Sequence, residues 1–148
     1  MKSQEFRGNS AAALAFGAVI CYNERKANER KTCWRTTMNI LFIGNSYTYF
    51  HDLPAVFAAL ANENGKGVTA YSVTRGGRKL NQFMNTEDDC TKELGSVLAD
   101  NPPFDAVFLQ EQSMLPYLDY EAFFGGAKHV ADTVRAAGAK RLCFYVTW

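Results

Sequence analysis

From Met38 onward the chain alternates between short, wholly apolar runs and stretches whose apolar residues recur at helical spacing. Ile40 to Ile43 are four consecutive apolar residues stopped by Gly44. They are too few for a helix and suit a strand covered on both faces, as in a parallel sheet. Leu53, Val56, Phe57 and Leu60 then follow a helical period, with Asp52 as the expected N-cap, Pro54 in the first turn and Asn64-Gly65-Lys66-Gly67 as the stop. The spacing predicts a helix over 53–63. Val68 to Thr74 reads as a second strand, ending in the tight loop Arg75-Gly76-Gly77-Arg78.

Residues 79–85 show no clear period. Thr86-Glu87-Asp88-Asp89 has the composition of a helix start, with Thr86 as cap and acids in the first turn. The stripe Cys90, Leu94, Val97, Leu98 follows, and Asn101-Pro102-Pro103 ends it. A third strand over 105–109 runs into Gln110-Glu111-Gln112-Ser113. Phe123, Ala127, Val130 and Val134 define another helix, from near Asp119 to Gly138, weakened by Gly125-Gly126. Arg141 to Trp148 reads as a fourth buried strand. Strands alternating with helices of this length predict an α/β fold: a parallel sheet with right-handed crossovers and helices on both faces.

Composition adds bounds. The 148 residues are one domain's worth of chain, with 47% hydrophobic and 21% charged residues, an ordinary globular composition. The formal net charge of +1 gives no general electrostatic attraction for nucleic acid or an anionic membrane. Cys21, Cys33, Cys90 and Cys143 form no C-x-x-C pair, so neither a zinc site nor a disulfide framework is expected. No run approaches the ~18 apolar residues of a membrane span. Residues 1–37 read as a disordered or artefactual leader. Ala11 to Tyr22 bears a weak resemblance to a signal peptide, residues 23–37 are polar and basic, and Met38 is a candidate natural start.

The candidate chemistry lies where the predicted strands end. Gly44-Asn45-Ser46, Gly76-Gly77 and Gln110-Glu111-Gln112-Ser113 should share one edge of the sheet, the edge at which open α/β folds bind ligands. A serine hydroxyl needs a base to take its proton, and the tetrahedral oxyanion needs fixed donors. Ser46 could attack, while its own N–H, that of Gly77 or Gly76, and the Gln112 amide could hold the oxyanion.

These blocks, Ile-Leu-Phe-Ile-Gly-Asn-Ser-Tyr-Thr, the Gly-Gly loop and Leu-Gln-Glu-Gln-Ser, resemble those of the SGNH (GDSL-like) hydrolases, in particular a branch with Gly-Asn-Ser in the first block. The resemblance covers residues 38–148. It implies a three-layer, flavodoxin-like parallel sheet, Ser46 as nucleophile, and Gly77 as a backbone donor. It also implies an amide in the third block, here Gln112 with Gln110 as the competing assignment. The family's base is a histidine in a C-terminal Asp-x-x-His, and no such motif occurs between Met1 and Trp148. The expectation is a C-terminally truncated piece, residues 38–148 being the N-terminal part of the domain. Ester hydrolysis is implied, with carbohydrate O-acetyl esters as a substrate class and no metal or organic cofactor.

Other residues carry weaker readings. His51, just before the first predicted helix, and Asn45 are possible substrate contacts, and His51 is a distant candidate for the base. His129 lies off its helix's apolar stripe. Arg75, Arg78 and Lys79 could cradle an anion, though a solvated basic loop fits the pattern better. Tyr47, Tyr49, Phe50 and Tyr117 could stack on a sugar or simply pack. Glu111 lacks the partner a catalytic acid needs. The reading from a different class is a non-catalytic flavodoxin-like module holding a small anion or sugar at the same edge.

Overall fold

The computed structural model describes residues 19–22 and 37–147. Among these, five strands form one sheet: β1 (Val19–Tyr22), β2 (Met38–Gly44), β3 (Val68–Thr74), β4 (Ala106–Leu109) and β5 (Leu142–Tyr145), in the spatial order β1-β5-β4-β2-β3. β2 to β5 are parallel throughout, with Ile40 opposite both Ala70 and Ala106 and Phe108 opposite Cys143. Their order places the first parallel strand between the second and the third. This is the flavodoxin-like, doubly wound arrangement, with its switch point at the carboxyl end of β2.

β1 lies within the stretch read as a leader and pairs antiparallel with β5, Val19 opposite Tyr145. β5 is therefore covered on its outer side by β1. The rest of the expected leader, residues 1–18 and the basic stretch 23–36, lies outside the described residues. No helix among the described residues is long and apolar enough to cross a membrane.

The helices are α1 (Ser46–Tyr49), α2 (Leu53–Glu63), α3 (Asp89–Asp100), α4 (Leu115–Leu118) and α5 (Tyr120–Ala136), with 3-10 turns at Phe50–Asp52 and Leu80–Met84. Alternation along the strands sorts the core into two layers. Leu41, Ile43, Val73, Val107, Leu109 and Leu142 meet Leu80, Phe83, Leu94, Val130 and Val134 on one face. On the other, Ile40, Phe42 and Val68 are covered by α2, and Phe42 stacks on Phe108 with ring centroids 5.0 Å apart. Each such aliphatic or aromatic side chain contributes about 1.5–3 kcal/mol by leaving water.

α2 spans the expected residues but turns a different face inward. Val56 and Leu60 are exposed, while Pro54 is buried and Phe57, Ala58 and Ala61 pack on the sheet. The small alanines let the helix approach the phenylalanine cluster. Asp52 does not cap it: His51 and Asp52 both have positive φ (56° and 52°), so Asp52 lacks the extended backbone a cap needs and makes no capping bond. Nor does Thr86 cap α3. Asp88 does, its carboxylate accepting from the N–H groups of Cys90 and Thr91.

The Gly125-Gly126 pair, which weakens α5 on propensity alone, has a packing reason. A Cβ on Gly126 would lie 2.2 Å from the Asn81 backbone nitrogen, so the 3-10 turn at Leu80–Met84 rests directly on the helix backbone.

Candidate active site

Because β2, β3, β4 and β5 are parallel, their carboxyl ends share one edge, and three of the expected blocks meet there. The apolar run of β2 ends at Gly44, and Asn45 stays extended (φ −124°, ψ −152°) before α1 begins at Ser46. Ser46 is half-buried and opens that helix. Asn45 is 2% exposed and fully engaged. Its Oδ1 accepts from Tyr47 N–H at 3.2 Å, and its Nδ2 donates to the Arg78 carbonyl at 3.0 Å. The structure uses this side chain to hold the turn.

The bond to Arg78 ties Ser46's turn to the glycine loop. Arg78 N–H closes a four-residue turn on the Arg75 carbonyl at 3.1 Å, and Gly77 sits inside it at φ +65°, where a side chain would be strained. Arg75 N–H in turn donates to the Gly44 carbonyl. Tyr49 lies over the loop: a Cβ at Gly76 would come 3.3 Å from its hydroxyl.

Arg78 is not a free anion-binding cation. Its guanidinium is buried, paired with Asp88 at 2.7 Å and set 4.5 Å over the Phe83 ring. The Arg78 hydrogen bond, ahead of the N–H groups of Thr91 and Cys90, lowers the Asp88 carboxyl to about 2. Arg75 pairs with Glu93 at the surface.

After β4 the two glutamines part company. Gln110 is wholly buried, with Oε1 accepting from Asn45 N–H at 2.9 Å and from the Thr48 hydroxyl at 3.1 Å. Its Nε2 donates to the Glu111 carbonyl. Gln112 is half-buried; its Oε1 accepts from Met114 and Leu115 N–H at 3.0 and 2.9 Å, holding the start of α4. Between them Glu111 is buried, and its carboxylate receives Leu80 N–H and Gln112 N–H. Burial pushes this carboxyl up, against the opposing pull of those N–H groups and of Lys79. Glu111 therefore links the third block to the segment just beyond the glycine loop.

The histidines stand apart from this network. His51 is exposed, edge-on to Phe50 at 5.0 Å, and His129 is exposed on α5. Among the described residues neither is hydrogen-bonded to Ser46. Tyr47, Tyr49 and Phe50 are exposed around the Ser46 turn, as is Tyr117 on α4. An apolar groove of about 700 Å³ begins at Glu111–Ser113 and runs between α5 and β5 past Phe123, Phe144 and Val146.

Sequence reasoning missed the linking roles of Asn45, Arg78 and Glu111. Polar residues beside strand ends that are also glycine-rich were the available signal.

A doubly wound sheet that places Gly-Asn-Ser at its switch point, beside a Gly-Gly turn and a Gln-Glu-Gln strand end, is SGNH hydrolase-like in fold and in sequence. A solved protein from Slackia heliotrinireducens, described as a candidate SGNH hydrolase, shares this fold with a TM-score of 0.61 at 27% identity. The match covers 70% of this chain and 53% of that one. No protein-family model and no curated protein matches the chain.

Proposed function

We propose that this chain carries the nucleophile-bearing part of an SGNH-type serine hydrolase acting on ester bonds, with carbohydrate O-acetyl esters as the substrate class. The observation that supports it most is the placement of the Gly44-Asn45-Ser46 turn at the sheet's switch point, bonded through Asn45 to the loop that carries Gly77.

In this reading the Ser46 hydroxyl oxygen attacks the ester carbonyl carbon while a histidine takes its proton. The oxyanion is held by Ser46 N–H, Gly77 N–H and the amide nitrogen of Gln112. Gln110 is the poorer third donor, since its amide nitrogen is already turned to the Glu111 carbonyl. Collapse breaks the bond to the leaving alcohol, which receives the proton from the histidine. Water then releases the acyl group from Ser46 by the reverse sequence of proton transfers. Asp-x-x-His is absent from these 148 residues; in this reading the base is a histidine outside them and the chain is part of a longer hydrolase. No metal or organic cofactor enters this scheme.

Labelling with a fluorophosphonate tests the nucleophile. The full-length protein should be labelled and Ser46→Ala should not; undiminished labelling of the variant would refute the assignment. If the parent protein hydrolyses no ester and takes no label, a sugar- or anion-binding module at the same edge becomes the better reading.

A further inference from the structure

We propose that Gln110 is a positioning residue for Ser46. This rests on the nucleophile reading above. The orientation of its carboxamide is over-determined. Asn45 N–H can only donate, so the atom facing it is oxygen, and the Glu111 carbonyl can only accept, so the atom facing it is nitrogen.

The direction of the next hydrogen bonds follows. Gln110 Oε1 has no proton to give, so the Thr48 hydroxyl donates to it. Thr48 Oγ1 then accepts from the Tyr145 hydroxyl at the end of β5. One directed chain therefore runs from Tyr145 through Thr48 to Gln110 Oε1, where it meets the N–H of Asn45. Asn45 and Thr48 bracket Ser46 on both sides. With both tied to one buried oxygen, the turn has a fixed pitch, and with it the direction of the Ser46 hydroxyl and N–H. Gly44 permits this closeness: a Cβ there would come 2.3 Å from Thr48 Oγ1 and 2.8 Å from Gln110 Oε1.

The test uses the full-length protein and follows fluorophosphonate inactivation as separate maximal-rate and affinity constants. Gln110→Ala should lower the maximal rate by about 10- to 100-fold, the penalty for a misplaced reacting group, with the affinity constant nearly unchanged. Thr48→Val, which keeps the shape and removes the hydroxyl, should act in the same direction and serves if Gln110→Ala fails to fold. Gln110→Glu supplies the rescue. Protonated, it again presents a carbonyl acceptor to Asn45 and Thr48 and a donor to the Glu111 carbonyl. Its rate relative to the parent protein should therefore climb as the pH falls, with Glu111 and Tyr145 the nearby titratable groups to be controlled.

Equal maximal rates in parent, Gln110→Ala and Thr48→Val would overturn the proposal while leaving Ser46 as nucleophile. If the parent takes no label, the nucleophile reading fails instead. The latch is then judged by amide exchange at Asn45 measured against Leu41: selective acceleration in Gln110→Ala upholds it, and unchanged exchange refutes it.

Discussion

Two carboxylates flank the same edge of the sheet and are displaced in opposite directions. Asp88, on the side of the glycine loop, is partly exposed and faces the Arg78 guanidinium, and its carboxyl falls to about 2. Glu111, beyond β4, is more deeply buried and receives N–H groups from Leu80 and Gln112, yet its carboxyl rises. Neutral donors hold Glu111 in place without offsetting the loss of water, whereas a cation in contact outweighs it for Asp88. The same edge thus contains one acid held by charge and one held by geometry.

Removing the cation should break the comparison most severely. Arg78→Ala loses the ion pair and the contact with Phe83, and leaves Asp88 to find water. The largest destabilisation of these substitutions is expected from it in urea unfolding. Glu111→Ala strands the N–H groups of Leu80 and Gln112 and should cost about 2 kcal/mol in the same measurement. Glu111→Gln keeps an acceptor and removes the charge, so its own effect should be smaller and should appear mainly in the pH dependence.

For a carboxyl raised on folding, the native state binds the proton more tightly. Its contribution is complete below the ordinary value of 4.5 and is lost as the pH rises through the higher folded value. The parent protein should therefore gain stability as the pH falls toward 4.5, and Glu111→Gln should lack that gain. Asp88 has the opposite sign. Its contribution is present above 3.8 and is lost as the pH drops toward about 2. Asp88→Asn should flatten that acid limb, the smallest of these effects, and a limb as steep as the parent's would assign acid sensitivity elsewhere.

The parallel strands and the bounds of α2 were legible because their signals are local: unbroken apolar runs, a helical period, Gly and Pro punctuation. What was not legible depends on partners distant in sequence. Asp88, not Thr86, caps α3, and the same carboxylate meets Arg78. Val56 and Leu60 face solvent because the alanines of α2 fit the phenylalanine cluster more closely. At the candidate site, Ser46, Gly77 and Gln112 were named from their blocks. The links through Asn45, Gln110 and Glu111 join residues from separate strand ends, and no spacing along the chain announces them.

Gly126 has a mechanical consequence. Where two elements meet through side chains, rotamer changes can absorb a small displacement; where backbone rests on backbone they cannot. The contact of α5 with Leu80–Asn81 is of the second kind, so α5 and this segment form a stiff strut behind the glycine loop. Any displacement of the glycine loop that moves Leu80–Asn81 must carry α5 with it or be confined to a hinge between Gly77 and Leu80.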